Sequence, residues 1–234
     1  MSQPIVFELC AETLEACLLA KAGGADRIEL CSMLDVGGLT PSRELTEQAI
    51  HRSGLPVHVL LRPHADGFVY SASDFASILA ELQYAQRVGA AGVVLGILNA
   101  DRTVDRTHTR ALVELAAPME ITFHRAFDEV PEVDPALEDV IATGCHRILT
   151  SGGAPDVLAG ADILARLVTR AADRIQIAVG GGLRVSNAQE VRRRTGARHF
   201  HGSLRAKDDG PPLLAERIRT LIDVLHQADD PTVY

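Results

Sequence analysis

The segment Ala22-Gly23-Gly24-Ala25-Asp26-Arg27-Ile28 returns in variation as Val88-Gly89-Ala90-Ala91-Gly92-Val93, Thr143-Gly144-Cys145-His146-Arg147-Ile148 and Thr195-Gly196-Ala197-Arg198-His199-Phe200. In each, a glycine follows an apolar-periodic stretch and precedes a short aliphatic run. Glycine there supplies the left-handed residue that ends a helix, and the aliphatic run reads as a buried strand. Gly23, Gly54, Gly89, Gly144 and Gly196 mark five such joints. Working outward from them, short apolar runs alternate with longer helical patterns along the chain, as βα units and a parallel sheet require. The spacing predicts eight strands, at 5–11, 26–31, 57–62, 92–97, 120–124, 146–151, 174–180 and 197–202. Ser186, with Gln189 three residues on, predicts a capping box opening the seventh helix. No Pro/Ser linker or charge block interrupts the units. The expected fold is α/β, a (βα)8 TIM barrel in a single domain over 1–234, favoured over an open doubly wound sheet.

Composition narrows the function. Hydrophobic residues make up 47% and aromatics 4%, so the core is expected to be aliphatic and Ala-rich. A formal charge of −8 opposes a nucleic-acid partner, because phosphate binding needs clustered Lys and Arg. Met1-Ser2-Gln3-Pro4 leads directly into Ile5-Val6-Phe7-Glu8 without a basic then apolar leader, and nowhere do about 18 apolar residues run together. A soluble cytoplasmic protein with no membrane partner is the expectation. Cys10, Cys17, Cys31 and Cys145 lack CxxC pairing, so they are expected to be reduced thiols and not a disulfide framework. Cys17 and Cys145 read as small buried hydrophobes.

The strands are not uniformly aliphatic, as strands covered on both faces usually are. Phe7 and Leu9 oppose Glu8 and Cys10; Ile28 and Leu30 oppose Glu29 and Cys31. Val57, Val59 and Leu61 oppose His58, Leu60 and Arg62; Ile121 and Phe123 oppose Thr122 and His124; Phe200 opposes His199 and His201. Since the aliphatic face must meet the helices, the polar face must point into the barrel. That places Glu8, Glu29, Arg62, His124 and His201 in one ring, with Cys10 and Cys31 beside it. The ring is either a buried ion-pair network of Glu8, Glu29 and Arg62 that fixes register, or a functional site. Arg62, His124, Thr150, Ser151, Gly152, Gly180 and His201 fall near strand C-termini, where barrel enzymes keep their sites. Two long connections on that side, Asp35 to Ser42 and Pro63 to Ser73, are candidate walls or lids.

Neighbouring strands lie about 4.8 Å apart, so thiols at Cys10 and Cys31 can meet one ion, and soft thiolates prefer Cu(I). The alternatives are inert core cysteines or a pair that oxidises. Gly180-Gly181-Gly182 followed by a helix suits an anion cradled on backbone N–H groups, with Ser203 and Arg205 close by, or simply a tight turn. His199-x-His201 lies on a strand, and no helical His motif suggests zinc.

Gly24-Ala25-Asp26-Arg27-Ile28-Glu29-Leu30-Cys31, Gly37-Gly38-Leu39-Thr40-Pro41-Ser42, Arg62-Pro63, Thr122-Phe123-His124-Arg125-Ala126-Phe127-Asp128, Leu149-Thr150-Ser151-Gly152 and Gly180-Gly181-Gly182 together resemble the CutC copper homeostasis family, from about Phe7 to Arg205. The resemblance implies a (βα)8 barrel in the cytoplasm, a homodimer or larger homo-oligomer, and a role in copper handling with Cys10 and Cys31 as Cu(I) ligands. The chain departs from that family at His64-Ala65-Asp66-Gly67-Phe68, where Arg-Gly-Gly-Asp-Phe is usual, and at Gly202, where some members carry cysteine or serine.

Two functions from different classes follow. One is a copper homeostasis protein binding Cu(I) through Cys10 and Cys31. The other is an enzyme acting on a small anionic metabolite, phosphorylated or not. In that reading Arg62 and the glycine loop at Gly180 and Gly181, with Thr150, Ser151, His201 and Ser203, hold the anion. Glu8 or Glu29 serves as general base or acid, and His124 moves a proton or polarises a carbonyl. A purely structural or partner-binding barrel is the third option. One barrel hosts many activities, so the fold alone leaves open whether the chain is an enzyme.

Overall fold

The computed structural model describes residues 4–205 and 211–227. All eight strands form, each trimmed relative to its predicted stretch: β1 Val6–Ala11, β2 Arg27–Leu30, β3 Val57–Leu60, β4 Gly92–Leu95, β5 Glu120–Phe123, β6 Arg147–Thr150, β7 Gln176–Gly180 and β8 His199–Gly202. They pair in parallel and in chain order, and β8 closes on β1 through Phe7 opposite Phe200, making a (βα)8 barrel. Eight helices alternate with them: α1 Leu14–Gly23, α2 Arg43–Arg52, α3 Ala72–Arg87, α4 Arg106–Ala116, α5 Val133–Thr143, α6 Ala161–Ala171, α7 Val185–Thr195 and α8 Pro211–Gln227. Among the described residues no helix is long and apolar enough to cross a membrane.

The alternation read from the strands is what closes the core. Phe7, Leu9, Ile28, Leu30, Val57, Val59, Ile121, Phe123 and Phe200 are all buried beneath the helices. Each such side chain contributes roughly 1.5–3 kcal/mol of transfer free energy. Helix starts are fixed by Thr13, Ser42, Ser71 and Asp105, whose side chains accept from first-turn N–H groups. A cap of this kind is worth about 1 kcal/mol.

Two local expectations need correction. The left-handed residue ending α1 is Gly24, at φ 88°, and not Gly23. Gly23 remains helical and is required for packing, since a side chain there would meet Ile218 of α8 at 2.7 Å. Helix α7 opens at Val185, ahead of the predicted Ser186 and Gln189 box, because Asn187 Oδ1 takes the Arg184 N–H at 2.8 Å.

The two long connections form one side of the strand C-terminal mouth. After β2 the chain doubles back, with Ser32 and Leu39 exchanging backbone hydrogen bonds of 2.9 and 2.7 Å. Arg62, just beyond β3, donates from Nη1 to the carbonyls of Val36 and Gly38, both at 3.0 Å, and from Nη2 to Ala65 at 3.1 Å. One guanidinium therefore joins both loops.

Candidate functional site

Strand alternation carries the polar residues inward in two tiers. Toward the strand N-termini, Glu8 Oε2 faces Arg27 Nε at 3.2 Å and Arg147 Nη1 at 3.5 Å. Glu120 Oε2 faces the same arginines at 2.8 and 3.6 Å. Arg147 also donates to Gln176 at 2.9 Å, and Arg27 Nη1 lies 3.2 Å from His58 Nε2. Two carboxylates thus balance two guanidiniums. The network anticipated among Glu8, Glu29 and Arg62 exists with other members, buried at Glu8, Arg27 and Arg147 and half-exposed at Glu120, because Arg62 sits beyond the end of β3 and turns its Nη donors to loop carbonyls.

Toward the strand C-termini the interior opens into a cavity of about 240 Å³. Of the residues named from sequence, Cys10, Glu29, Arg62, His124, Gly181, His201 and Ser203 line it. Glu8, Cys31, Thr150, Ser151 and Gly180 do not. Thr150 and Ser151 instead serve Asp128, which accepts from the Thr150 hydroxyl at 2.5 Å, the Ser151 N–H at 3.0 Å and the Gly153 N–H at 3.0 Å. A side chain at Gly180 would press on Leu149 Cδ1 at 2.6 Å and on His201 at 3.0 Å. Gly181 adopts φ 112°, and a side chain would also press on Ser151 and Arg125. The glycine run is therefore a tight turn packed on its neighbours, with Gly181 and Gly182 at the cavity wall.

Cys10 Sγ lies 3.5 Å from Cys31 Sγ and donates to Glu29 Oε1 at 3.5 Å. Cys31 stands behind it in an apolar pocket with Leu60 and Val94. The Cys10 thiol is held well above its ordinary pKa by its hydrogen bond with Cys31, by burial and by the charge of Glu29. Cys17 and Cys145 are buried free thiols as expected, pushed up to about 12 and about 11, each chiefly by burial.

His201 Nδ1 lies 2.8 Å from Glu8 Oε1, which links the two tiers. Burial pushes the Glu8 carboxyl up, but the hydrogen bond and charge of His201, with the charges of Arg27 and His58, outweigh it and hold Glu8 at about 2. Burial works against charge on His201, and the carboxylates of Glu29 and Glu8 more than offset it. Burial raises Glu29, whose Oε2 finds no partner among the described residues. A Cys10 sulfur, a Glu29 oxygen and a His201 nitrogen all lie within 4.8 Å of one another, a set able to hold a metal ion.

His124 faces the cavity from the end of β5. Its ring packs 4.8 Å from Phe68, over Gly96, where any side chain would collide with Nδ1 at 2.4 Å. Burial, then the nearby Arg62 charge, depress it to about 3.

Sequence reasoning missed Arg27 and Arg147 as the partners of Glu8, and Arg125, Arg184 and Phe68 as cavity walls. The same alternation that turned Glu29 inward applies to Arg27, two residues earlier. Arg184 lies two residues past the glycine run, and Arg125 follows His124 directly.

The sequence profile described as the CutC family matches residues 5–206. A CutC protein from Chromobacterium violaceum is 43% identical over 202 residues, 86% of this chain and 82% of that protein. One from Mesorhizobium japonicum is 42% identical over 196 residues, 84% of this chain and 76% of that protein. Among solved structures, a Streptococcus agalactiae protein named CutC, with a provisional copper homeostasis assignment, superposes with TM-score 0.79 at 31% identity. The match covers 85% of this chain and 98% of that one. A thiamine phosphate pyrophosphorylase from Pyrococcus furiosus matches at TM-score 0.64 and 15% identity over 97% of both chains, a likeness of fold alone.

Proposed function

This chain belongs to the CutC family, and on that premise we propose that it serves copper homeostasis in the reducing cytoplasm by holding Cu(I) at the barrel mouth. Cys10 is the ligand that faces the cavity, Cys31 the second thiol behind it, and His201 the nitrogen donor. The observation that carries this reading is the clustering of Cys10, Glu29 and His201 donor atoms within 4.8 Å, with the Cys31 sulfur 3.5 Å from that of Cys10.

The donor chemistry suits a soft ion, since thiolate and imidazole select Cu(I) over hard cations. With Nδ1 of His201 engaged by Glu8, Nε2 is left for the metal, the arrangement in which a carboxylate orients a ligating imidazole. Because Cys10 holds its proton tightly, uptake of the ion must release that proton, so affinity should rise with pH.

Anaerobic titration of the reduced protein with Cu(I), against a chromophoric Cu(I) chelator as competitor, tests the reading. About one ion per chain is expected, as one cluster of soft donors implies. A Cys10→Ala, Cys31→Ala double variant should lose that affinity. Unchanged affinity in the double variant would rule the site out.

A further inference from the structure

His124 stands on the β5 side of the cavity, and Cys10, Glu29 and His201 come from β1, β2 and β8. Its chemistry differs from theirs. The backbone N–H of Ala126 donates to Nδ1 at 3.1 Å, so Nδ1 is an acceptor and the neutral ring carries its proton on Nε2. The low pKa of about 3, from burial and then from Arg62, keeps the ring neutral at ordinary pH. His124 is only 5% exposed, and among the described residues its Nε2 has no hydrogen-bond partner. An unpaired buried donor costs about 1–3 kcal/mol, and a ligand acceptor would remove that cost.

The charges around the cavity select the ligand further. Among the described residues, Arg62, Arg125 and Arg184 line it against the single carboxylate of Glu29. Arg125 is tied to Asp128 at 2.7 Å, while among the described residues neither Arg62 nor Arg184 has a carboxylate in its ion pairs. Arg62 gives N–H groups from Nη1 and Nη2 to backbone carbonyls, while among the described residues its buried Nε has no partner, so its charge acts chiefly as a field on the cavity. Arg184, exposed at the rim, is the cation placed to meet an incoming anion. At about 30 Å³ per water the space equals about eight waters, which limits an occupant to a small metabolite.

We propose that the mouth binds a small organic anion bearing a carbonyl group, whose oxygen accepts from His124 Nε2–H and whose anionic end lies toward Arg184 and Arg125. A neutral imidazole donor polarises a carbonyl without offering the cation that an anionic end alone would seek. Phe68 and the bare backbone at Gly96 fix the ring so that the donor is preset. This site shares the cavity with the Cu(I) reading but rests on other side chains, as none of the thiols takes part.

The test uses full-length, metal-free, reduced protein with two probes, dihydroxyacetone phosphate and pyruvate, which present the carbonyl with a phosphate or a carboxylate. Calorimetry should give saturable binding of at least one probe. In isotope-edited infrared spectra the stretch of the bound 13C carbonyl should move to lower frequency. His124→Phe, which keeps the ring packing and deletes the donor, should weaken binding about tenfold, the worth of one good hydrogen bond, and abolish the shift. His124→Gln, which can restore an N–H, should recover part of both. Wild-type 15N spectra, with the His124 Nε2 resonance moving on probe addition, serve if the Phe variant does not fold. Binding by the phosphate probe, the carboxylate probe or both supports the proposal and identifies the anionic end. No binding of either probe up to millimolar concentration overturns it. So does binding with an unshifted carbonyl stretch, or with undiminished affinity in His124→Phe.

Discussion

The two tiers of the barrel interior are built from the same strands, yet they answer the problem of buried polarity in opposite ways. In the lower tier, Arg27 and Arg147 each meet both Glu8 and Glu120. Individual N–H groups there go unused, but every guanidinium has opposite charge beside it. In the upper tier, only two or four residues further along each strand, Glu29 Oε2 and His124 Nε2 have no partner among the described residues, and both residues border a cavity. Buried charges that are neutralised within the fold serve the fold, and breaking such a set is expensive. Polar groups left wanting at a cavity wall are held ready for something that enters. The same inward alternation thus yields a structural layer and a binding layer, separated by a few ångströms.

The sharpest way to break this distinction is to remove one carboxylate from each tier. Glu8→Gln leaves Arg27, Arg147 and His201 short of their shared counter-charge and should cost about 3–5 kcal/mol in denaturant unfolding. A loss below about 1 kcal/mol would mean that the lower tier is not structural in the sense argued, since even one ordinary hydrogen bond is worth that much.

A second, smaller effect should appear in the pH dependence of stability. His124 stays neutral in the fold down to about 3 but protonates in the unfolded chain near 6.5. Below 6.5 the unfolded state therefore binds the extra proton, and stability must fall as pH falls. Between pH 7 and pH 5 the contribution lost is roughly 2 kcal/mol. His124→Phe should flatten that stretch of the profile by this amount, as read from urea unfolding at each pH. An unaltered slope would show that the ring is already charged or exposed.

The least expected change belongs to Glu29. Its carboxyl is raised by burial, so its charge is held less firmly than that of Glu8, and Glu29→Gln should alter stability by about 1 kcal/mol or less, with a gain as acceptable as a loss. A cost equal to that of Glu8→Gln would collapse the two tiers into one.

What the sequence made legible follows from period and punctuation. Glycine joints and aliphatic runs located all eight strands, and alternation turned Glu8, Glu29, His124 and His201 inward. It could not assign partners. Whether Glu8 meets Arg62 or Arg147 depends on how strands far apart in the chain stagger around a closed barrel, which no local pattern encodes. Arg62 lay on the correct face but just past the strand, where backbone carbonyls of two loops compete for it. Thr150 and Ser151 sat at strand ends like site residues, and only the position of Asp128 reveals that they brace a turn. The cluster of Cys10, Glu29 and His201 combines register on β1 and β2 with closure by β8, and so becomes visible only once the ring is shut.

The grip of Arg62 on Val36, Gly38 and Ala65 carries a mechanical corollary. The Arg62 backbone also pairs with Thr40, so the two loops are riveted by side chain and main chain of one residue, and this flank of the entrance yields as a unit or holds as a unit. Cargo of whatever kind meets a single jamb there, hinged on one residue.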